Sequence, residues 1–244
     1  GEGPAGVARN LHGWITVNVA GAHIVEKNAK QADDGAQKEH EDTLRYDYSD
    51  KLWELVRVMR DQKATLMVLA DTHVGTEEAA AMAALLQLEG IAMRYTAATV
   101  DAETGAMNAG TMIWWDPREL ELRVDVEQRE GRQERRERVE EVEAGRILRV
   151  ELTVVREQRE LVVYGVYMPI RQRKREAEAS WRYLHERLER EESGRIAVGG
   201  DMNAETEEWL RRRGRAQRDW TRSDVWMHYV MDSHDMRAMA NSAL

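Results

Sequence analysis

The stretch Arg195-Ile196-Ala197-Val198-Gly199-Gly200-Asp201-Met202-Asn203 constrains this chain more than any other. A short apolar run closes on two glycines, then an acid, a spacer and an amide. That pattern reads as a buried strand whose C-terminal end delivers Asp201 and Asn203 into a cleft. Their spacing of two puts both side chains on one side of an extended backbone, and the glycines let other chain or substrate come close. An Asp beside an Asn suits chemistry at phosphate. The carboxylate takes a proton from water, and the amide holds a phosphoryl oxygen or orients that water. A plain strand-to-turn junction uses the same residue types, so the reading needs support from the rest of the chain.

With 244 residues, the chain has room for one large α/β or sandwich domain or for two small ones. No internal repeat or linker divides it. The expectation is a single domain over 14–244, preceded by a Gly-rich, disordered segment at 1–13. No apolar run approaches the ~18 residues of a membrane span, and the N-terminal residues lack a basic-then-apolar signal pattern. Cysteine is absent, which excludes disulfides and thiolate metal sites. Together these features point to an intracellular protein, nuclear or cytoplasmic, with no membrane partner. A net charge of −9 argues against a generally basic nucleic-acid binder while leaving room for a local basic strip.

Taken in order, Trp14 to Gly21 reads as a first strand with Asn18 near its end. Residues 26–48 are polar and read as a loop or a helix start. Ser49 or Asp50 caps a helix whose apolar positions are Leu52, Leu55, Val56 and Met59. Thr65 to Ala70 is a buried strand delivering Asp71-Thr72-His73, and Glu77 to Leu88 is an Ala-rich helix stopped at Gly90. Gly110 to Trp115 is a strand with one core Trp and one outward Trp. Leu120, Leu122, Val124 and Val126 alternate as a half-wet strand, as do Leu148, Val150, Leu152 and Val154. The run from Gln128 to Arg146 between them is almost wholly charged and reads as a solvated excursion. Leu161 to Val166 is a more continuous strand ending at Tyr167-Met168-Pro169. Arg171, Arg173 and Lys174 follow at once, either meeting substrate phosphates at a cleft rim or forming a solvated helix start. A helix then carries Ala177, Trp181, Leu184 and Leu188 on one face. After Asn203, Glu205 to Arg218 reads as helix and Val225 to Met231 as strand.

Polar residues therefore close four strands: Asn18, Asp71, Tyr167, and the pair Asp201 and Asn203. In that order, with Gly145-Arg146-Ile147-Leu148 between them, these pieces resemble the endonuclease/exonuclease/phosphatase superfamily. Thr72-His73 after the acid and Gly145-Arg146 before a strand are most similar to its retrotransposon endonuclease branch. The resemblance implies an α/β fold, a four-layer α/β/β/α sandwich of two mixed sheets with outer helices and a shortened C-terminal part. It implies an endonuclease that hydrolyses DNA phosphodiesters with Mg²⁺ or Mn²⁺. Asp71 and Asn18 would hold the metal, Asp201 would activate water, and Asn203 and Tyr167 would bind or orient the phosphate. Hard oxygen ligands of this kind suit those ions.

The chain departs from the family at several places. Asp71 stands where the family has Glu, and Ala20 and Ile170 stand where abasic-site enzymes carry polar residues. Near the C-terminus, Arg222-Ser223-Asp224 and Asp232-Ser233-His234 are too close together to be both of the family's final motifs. His234, behind the expected strand 225–231, is taken as the family's phosphate-facing histidine. His73 is left out of the site. Two other readings stay open: a phosphatase for a small phosphorylated substrate, and a catalytically impaired relic serving as a binding module.

Overall fold

In the computed structural model, most of the apolar runs become strands close to where the sequence places them. The structure describes residues 14–18, 25–27, 46–48, 50–100, 105–129, 132–170, 172–192, 194–205, 207–214, 216 and 220–237. The chain starts with β1 (Trp14–Asn18), β2 (Val25–Lys27), β3 (Tyr46–Tyr48), α1 (Asp50–Asp61), β4 (Leu66–Ala70) and α2 (Thr76–Leu88). Next come β5 (Ala92–Thr96), β6 (Thr99–Val100), β7 (Met107–Asn108), β8 (Thr111–Trp115), β9 (Leu120–Leu122), β10 (Val124–Arg129) and β11 (Arg132–Glu137). It continues with β12 (Val139–Glu143), β13 (Ile147–Val154), β14 (Arg159–Tyr167), α3 (Lys174–Leu188), β15 (Ile196–Asp201), α4 (Glu207–Arg212) and α5 (Arg222–Ser233).

Two mixed sheets face each other. One runs β1-β4-β8-β5, with β1 parallel to β4 and the other pairs antiparallel. The other runs β12-β13-β14-β15, with β14 parallel to β15, and β9 also pairs with β13. Both faces of β4 and β8 are covered, so every residue in them is buried and their sequences are nearly all apolar. Met67, Leu69, Met112 and Trp114 turn to α1 and α2, where Leu52, Leu55, Val56 and Met59 form the matching helical stripe. Leu66, Val68, Ile113 and Trp115 turn the other way and meet Leu148, Val150, Leu152, Leu161 and Val163 between the sheets. The outer face of the second sheet packs Val162, Tyr164 and Val166 against Trp181, Leu184 and Leu188 of α3 and Met227 and Val230 of α5. The order is therefore helix, sheet, sheet, helix.

Several readings from sequence need correction or refinement. Val225 to Met231 is not a strand but the body of α5. Its start is fixed by a capping box, in which the Thr221 hydroxyl accepts from Asp224 N at 3.2 Å and the Asp224 carboxylate accepts from Thr221 N at 2.7 Å. Ser223, Met227 and Val230 then bury one helical stripe. The charged run 128–146 is exposed over its hairpin, as a solvated excursion is, but it is built of paired strands. β10 and β11 form a hairpin, β12 pairs with β13, and the former half-wet strand 120–126 breaks into β9 and β10 at Arg123. Backbone ladders need no apolar side chains when opposite charges flank them, as Arg138 and Asp125 do at 2.6 Å. Trp114 and Trp115 are both buried, because each side of β8 faces a covered layer. Among the described residues the helix after Asn203 is α4, and β2 with β3 forms a short antiparallel pair inside the expected loop. Residues 1–13, Ala20 and Ser49 lie outside the described residues.

Candidate active site

The strand ends that carry polar residues converge at one edge. Asn18 closes β1 opposite Ala70, the last residue of β4, so Asp71 follows directly beside it. Tyr167 closes β14 opposite Asp201 of β15. The two sheets come together closely here. A Cβ at Gly199 would stand 3.1 Å from both Thr16 Oγ1 and Val68 Cγ2 of the opposite sheet. Gly200, at φ +131, turns its Cα against the Val166 carbonyl, where a Cβ would collide at 1.9 Å. Only glycine accommodates that bend, which sets the direction in which Asp201 leaves the strand.

Past the ends of β4 and β15, the backbone takes a conformation that side chains disfavour. Asp71, His73 and Asn203 have φ of 59°, 53° and 44°, in the left-handed region. Hydrogen bonds hold these turns. Thr72 N and His73 N donate to the carbonyls of Gly110 and Ala109 at 3.1 and 2.9 Å. Asn203 N donates to Asp201 Oδ1 at 2.9 Å, and Asn203 Nδ2 donates to the Met168 carbonyl at 2.6 Å. Tyr167 N donates to the Arg146 carbonyl at 2.8 Å, and Thr111 Oγ1 donates to the same carbonyl at 3.2 Å. Strained turns at a cleft, held from several sides, are a feature of sites where side-chain direction matters.

The side chains form one electrostatic unit. Asp71, only 16% exposed, faces His73 Nε2 at 3.0 Å and accepts a hydrogen bond from the Tyr167 hydroxyl. Burial first, and then the negative charges of Asp71 and Asp201, push the Tyr167 phenol up to about 12, with Arg146 opposing them. Tyr167 is thus a neutral hydrogen-bond donor at physiological pH. The Arg146 guanidinium bonds Glu176 at 3.0 Å, while its buried Nη1 finds no partner among the described residues.

The structure thus brings Asp71, Tyr167, Asp201 and Asn203 together, with the backbone of Asn18 beside them; the Asn18 side chain lies outside the described residues. His234 is elsewhere. It caps the end of α5 and its Nε2 meets His185 Nδ1 at 3.0 Å, roughly 16 Å along α3 from the first turn of that helix. The strand expected to carry it to the phosphate is a helix on the outer layer. Arg171 lies outside the described residues, Arg173 sits before α3 and pairs with Glu176 at 3.5 Å, and Lys174 opens the helix. Sequence reading passed over Arg146 and His73 as site residues. The Gly145-Arg146 pair before an apolar strand was the available signal for Arg146, and the spacing of two from Asp71 was the signal for His73.

The donor set fits a small hard cation. Asp71 and Asp201 offer carboxylate oxygens at one edge, and no thiol competes with them. Among the described residues no group of three or more His, Cys, Asp or Glu could cage a metal. A Mg²⁺-class ion does not need one, since it keeps waters and uses one or two carboxylates with substrate phosphate.

This arrangement of layers is that of the endonuclease/exonuclease/phosphatase fold. The AP endonuclease LMAP from Leishmania major matches with a TM-score of 0.51 at 14% identity, over 76% of this chain and 62% of that one. A 3′ phosphatase, NExo from Neisseria, bound to a product DNA hairpin, matches at 0.45 and 13% over 75% and 66%. The human nocturnin catalytic domain matches at 0.43 and 12% over 76% and 62%. The chain spans less than two thirds of each of these structures. No family model matches the sequence, nor does any curated protein. Among the described residues, no helix is long and apolar enough to cross a membrane.

Proposed function

We propose that the chain is a divalent-metal-dependent phosphodiesterase that hydrolyses the DNA backbone. The observation that carries this reading is the meeting of Asp71, Tyr167, Asp201 and Asn203 at one edge where the two sheets close up. Asp201 takes the proton from the attacking water. Its Oδ1 accepts a hydrogen bond from Asn203 N at 2.9 Å, which fixes the direction of the carboxylate. Asn203 Nδ2 keeps a second N–H for a phosphoryl oxygen, and the neutral Tyr167 hydroxyl would become a second donor by turning its single O–H from Asp71 to the phosphate. Arg146, whose charge already acts on Tyr167, meets the negative charge developing on phosphate. Asp71, helped by Asn18, would hold Mg²⁺ or Mn²⁺, which supplies charge stabilisation at the phosphoryl oxygens. Asp71-Thr72-His73 and Gly145-Arg146 support a place near the retrotransposon endonucleases.

A second reading, an impaired relic that binds without cleaving, is favoured by one observation: the Asp71 carboxylate is already engaged by His73 and Tyr167. Conversion of supercoiled plasmid to nicked circles, with Mg²⁺ or Mn²⁺ and with or without EDTA, separates the two. The proposal requires nicking that EDTA abolishes. Phosphate release from inositol phosphates without nicking would assign a small-molecule phosphatase, and inactivity on both substrates by folded protein would leave the relic.

A further inference from the structure

Beside the strand edge, the first turns of α3 and α5 enclose a groove of about 360 Å³. Trp181, Trp220 and Trp226 line it together with Lys174, Arg222 and Glu178. Trp181 is buried, and its indole N–H meets no acceptor among the described residues. Trp220 is held in place by stacking on His228, with ring centroids 4.5 Å apart and planes at 26°. Arg222 is 62% exposed, and its Nη1 donates to Glu178 at 2.6 Å.

The groove is tied to the segments that carry the proposed catalytic residues. Trp226 packs in the same cluster as Met202, Ala204 and Met168, which flank Asp201, Asn203 and Tyr167. The fully buried Asp224 carboxylate accepts Glu205 N at 2.7 Å and so fastens the first turn of α5 to the loop leaving Asn203. α3 begins shortly after Tyr167.

Resting on the nuclease reading above, we propose that this groove binds one nucleotide of single-stranded substrate next to the scissile phosphate. The base stacks on the Trp220 and Trp226 indoles, and the adjoining phosphate lies against Lys174 and Arg222. Aromatic faces with flanking cations are how sequence-tolerant single-strand sites are built. The volume falls within the range of sites for small organic ligands.

The test measures binding of hexathymidylate by calorimetry in the Asp201→Asn background, where the strand is not cut. Trp220→Ala should weaken binding by about tenfold to a hundredfold, as loss of one stacked base does, while Trp220→Phe should restore most of it. An oligonucleotide with one base removed should lose the same factor, and that loss should vanish in Trp220→Ala. If Trp220→Ala misfolds by circular dichroism, Trp220→Phe and the base-deleted strand still decide. Equal affinity of the intact and base-deleted strands, or no binding at all, overturns the groove. The plasmid assay judges the nuclease reading separately, so active nicking with tryptophan-insensitive binding would remove the groove alone.

Discussion

The side-chain amide of Asn203 donates to the main-chain carbonyl of Met168 at 2.6 Å, tying the chain just past β15 to the chain just past β14. The residue proposed to hold phosphate therefore also sets the separation of the two strand ends. Asn203→Ala removes both functions. It should raise KM and lower kcat together, with kcat/KM falling by about 10²-fold, as expected when reacting groups lose their alignment. A change in KM alone would reduce Asn203 to a binding contact.

Tyr167 makes a prediction about pH. Its folded pKa of about 12 lies above the ordinary value of 10.0, because burial and two carboxylates disfavour the phenolate. The folded state thus holds a proton that the unfolded state releases first. The associated stability is complete below about pH 10 and is lost as pH rises towards 12. Denaturant midpoints should fall between pH 9 and pH 11.5, and they should fall less in Tyr167→Phe. That variant should also lower kcat/KM by about tenfold or more without moving the neutral pH profile, because a donor to charged phosphate is gone.

Asp71 is the proposed principal metal ligand. Asp71→Asn should abolish Mn²⁺ binding in calorimetry while the circular dichroism spectrum stays that of the wild type. Asp71→Glu extends the side chain by one methylene and should keep the affinity or raise it. Unchanged affinity in Asp71→Asn would take the residue out of the site.

The His185–His234 pair serves the outer helices. Burial, and then the neighbouring His185, lowers the His234 pKa from its ordinary value, against the pull of Glu189. A base whose folded pKa is depressed gives stability that is present above pH 6.5 and lost as pH falls through the folded value. Acid should therefore loosen the packing of α3 on α5. Denaturant midpoints measured from pH 7 down to pH 5 should decline less in His234→Gln, and the turnover of that variant at neutral pH should match wild type.

How much of this was legible in the sequence depends on where each signal resides. Strand-length apolar runs such as Leu66–Ala70 and Thr111–Trp115 mark themselves, because both of their faces are buried. The apolar stripes of α1 and α3 announce helices in the same way. Asp71, Tyr167, Asp201 and Asn203 were readable because each follows such a run. α5 was not. Its segment Val225 to Met231 is apolar at both helical and strand spacings, and the deciding residue is Asp224, whose carboxylate bonds Thr221 and Glu205. Arg146 stands at the end of a charged run, where an arginine beside the cleft looks like its solvated neighbours. The end of β10 and the strands β11 and β12 were missed for the same reason: they are held by backbone pairing and cross-strand charges, which leave little apolar period.

The measurement that tests the account most directly compares wild type with Asp201→Asn in Mg²⁺-dependent plasmid nicking under single-turnover conditions. The substitution keeps the shape of the side chain and removes the base. The account predicts a fall in rate of ~10²–10⁴-fold, the usual range for general-base catalysis, with DNA binding little changed. A variant retaining more than about a tenth of the wild-type rate, a loss under ~1.4 kcal/mol, would contradict it.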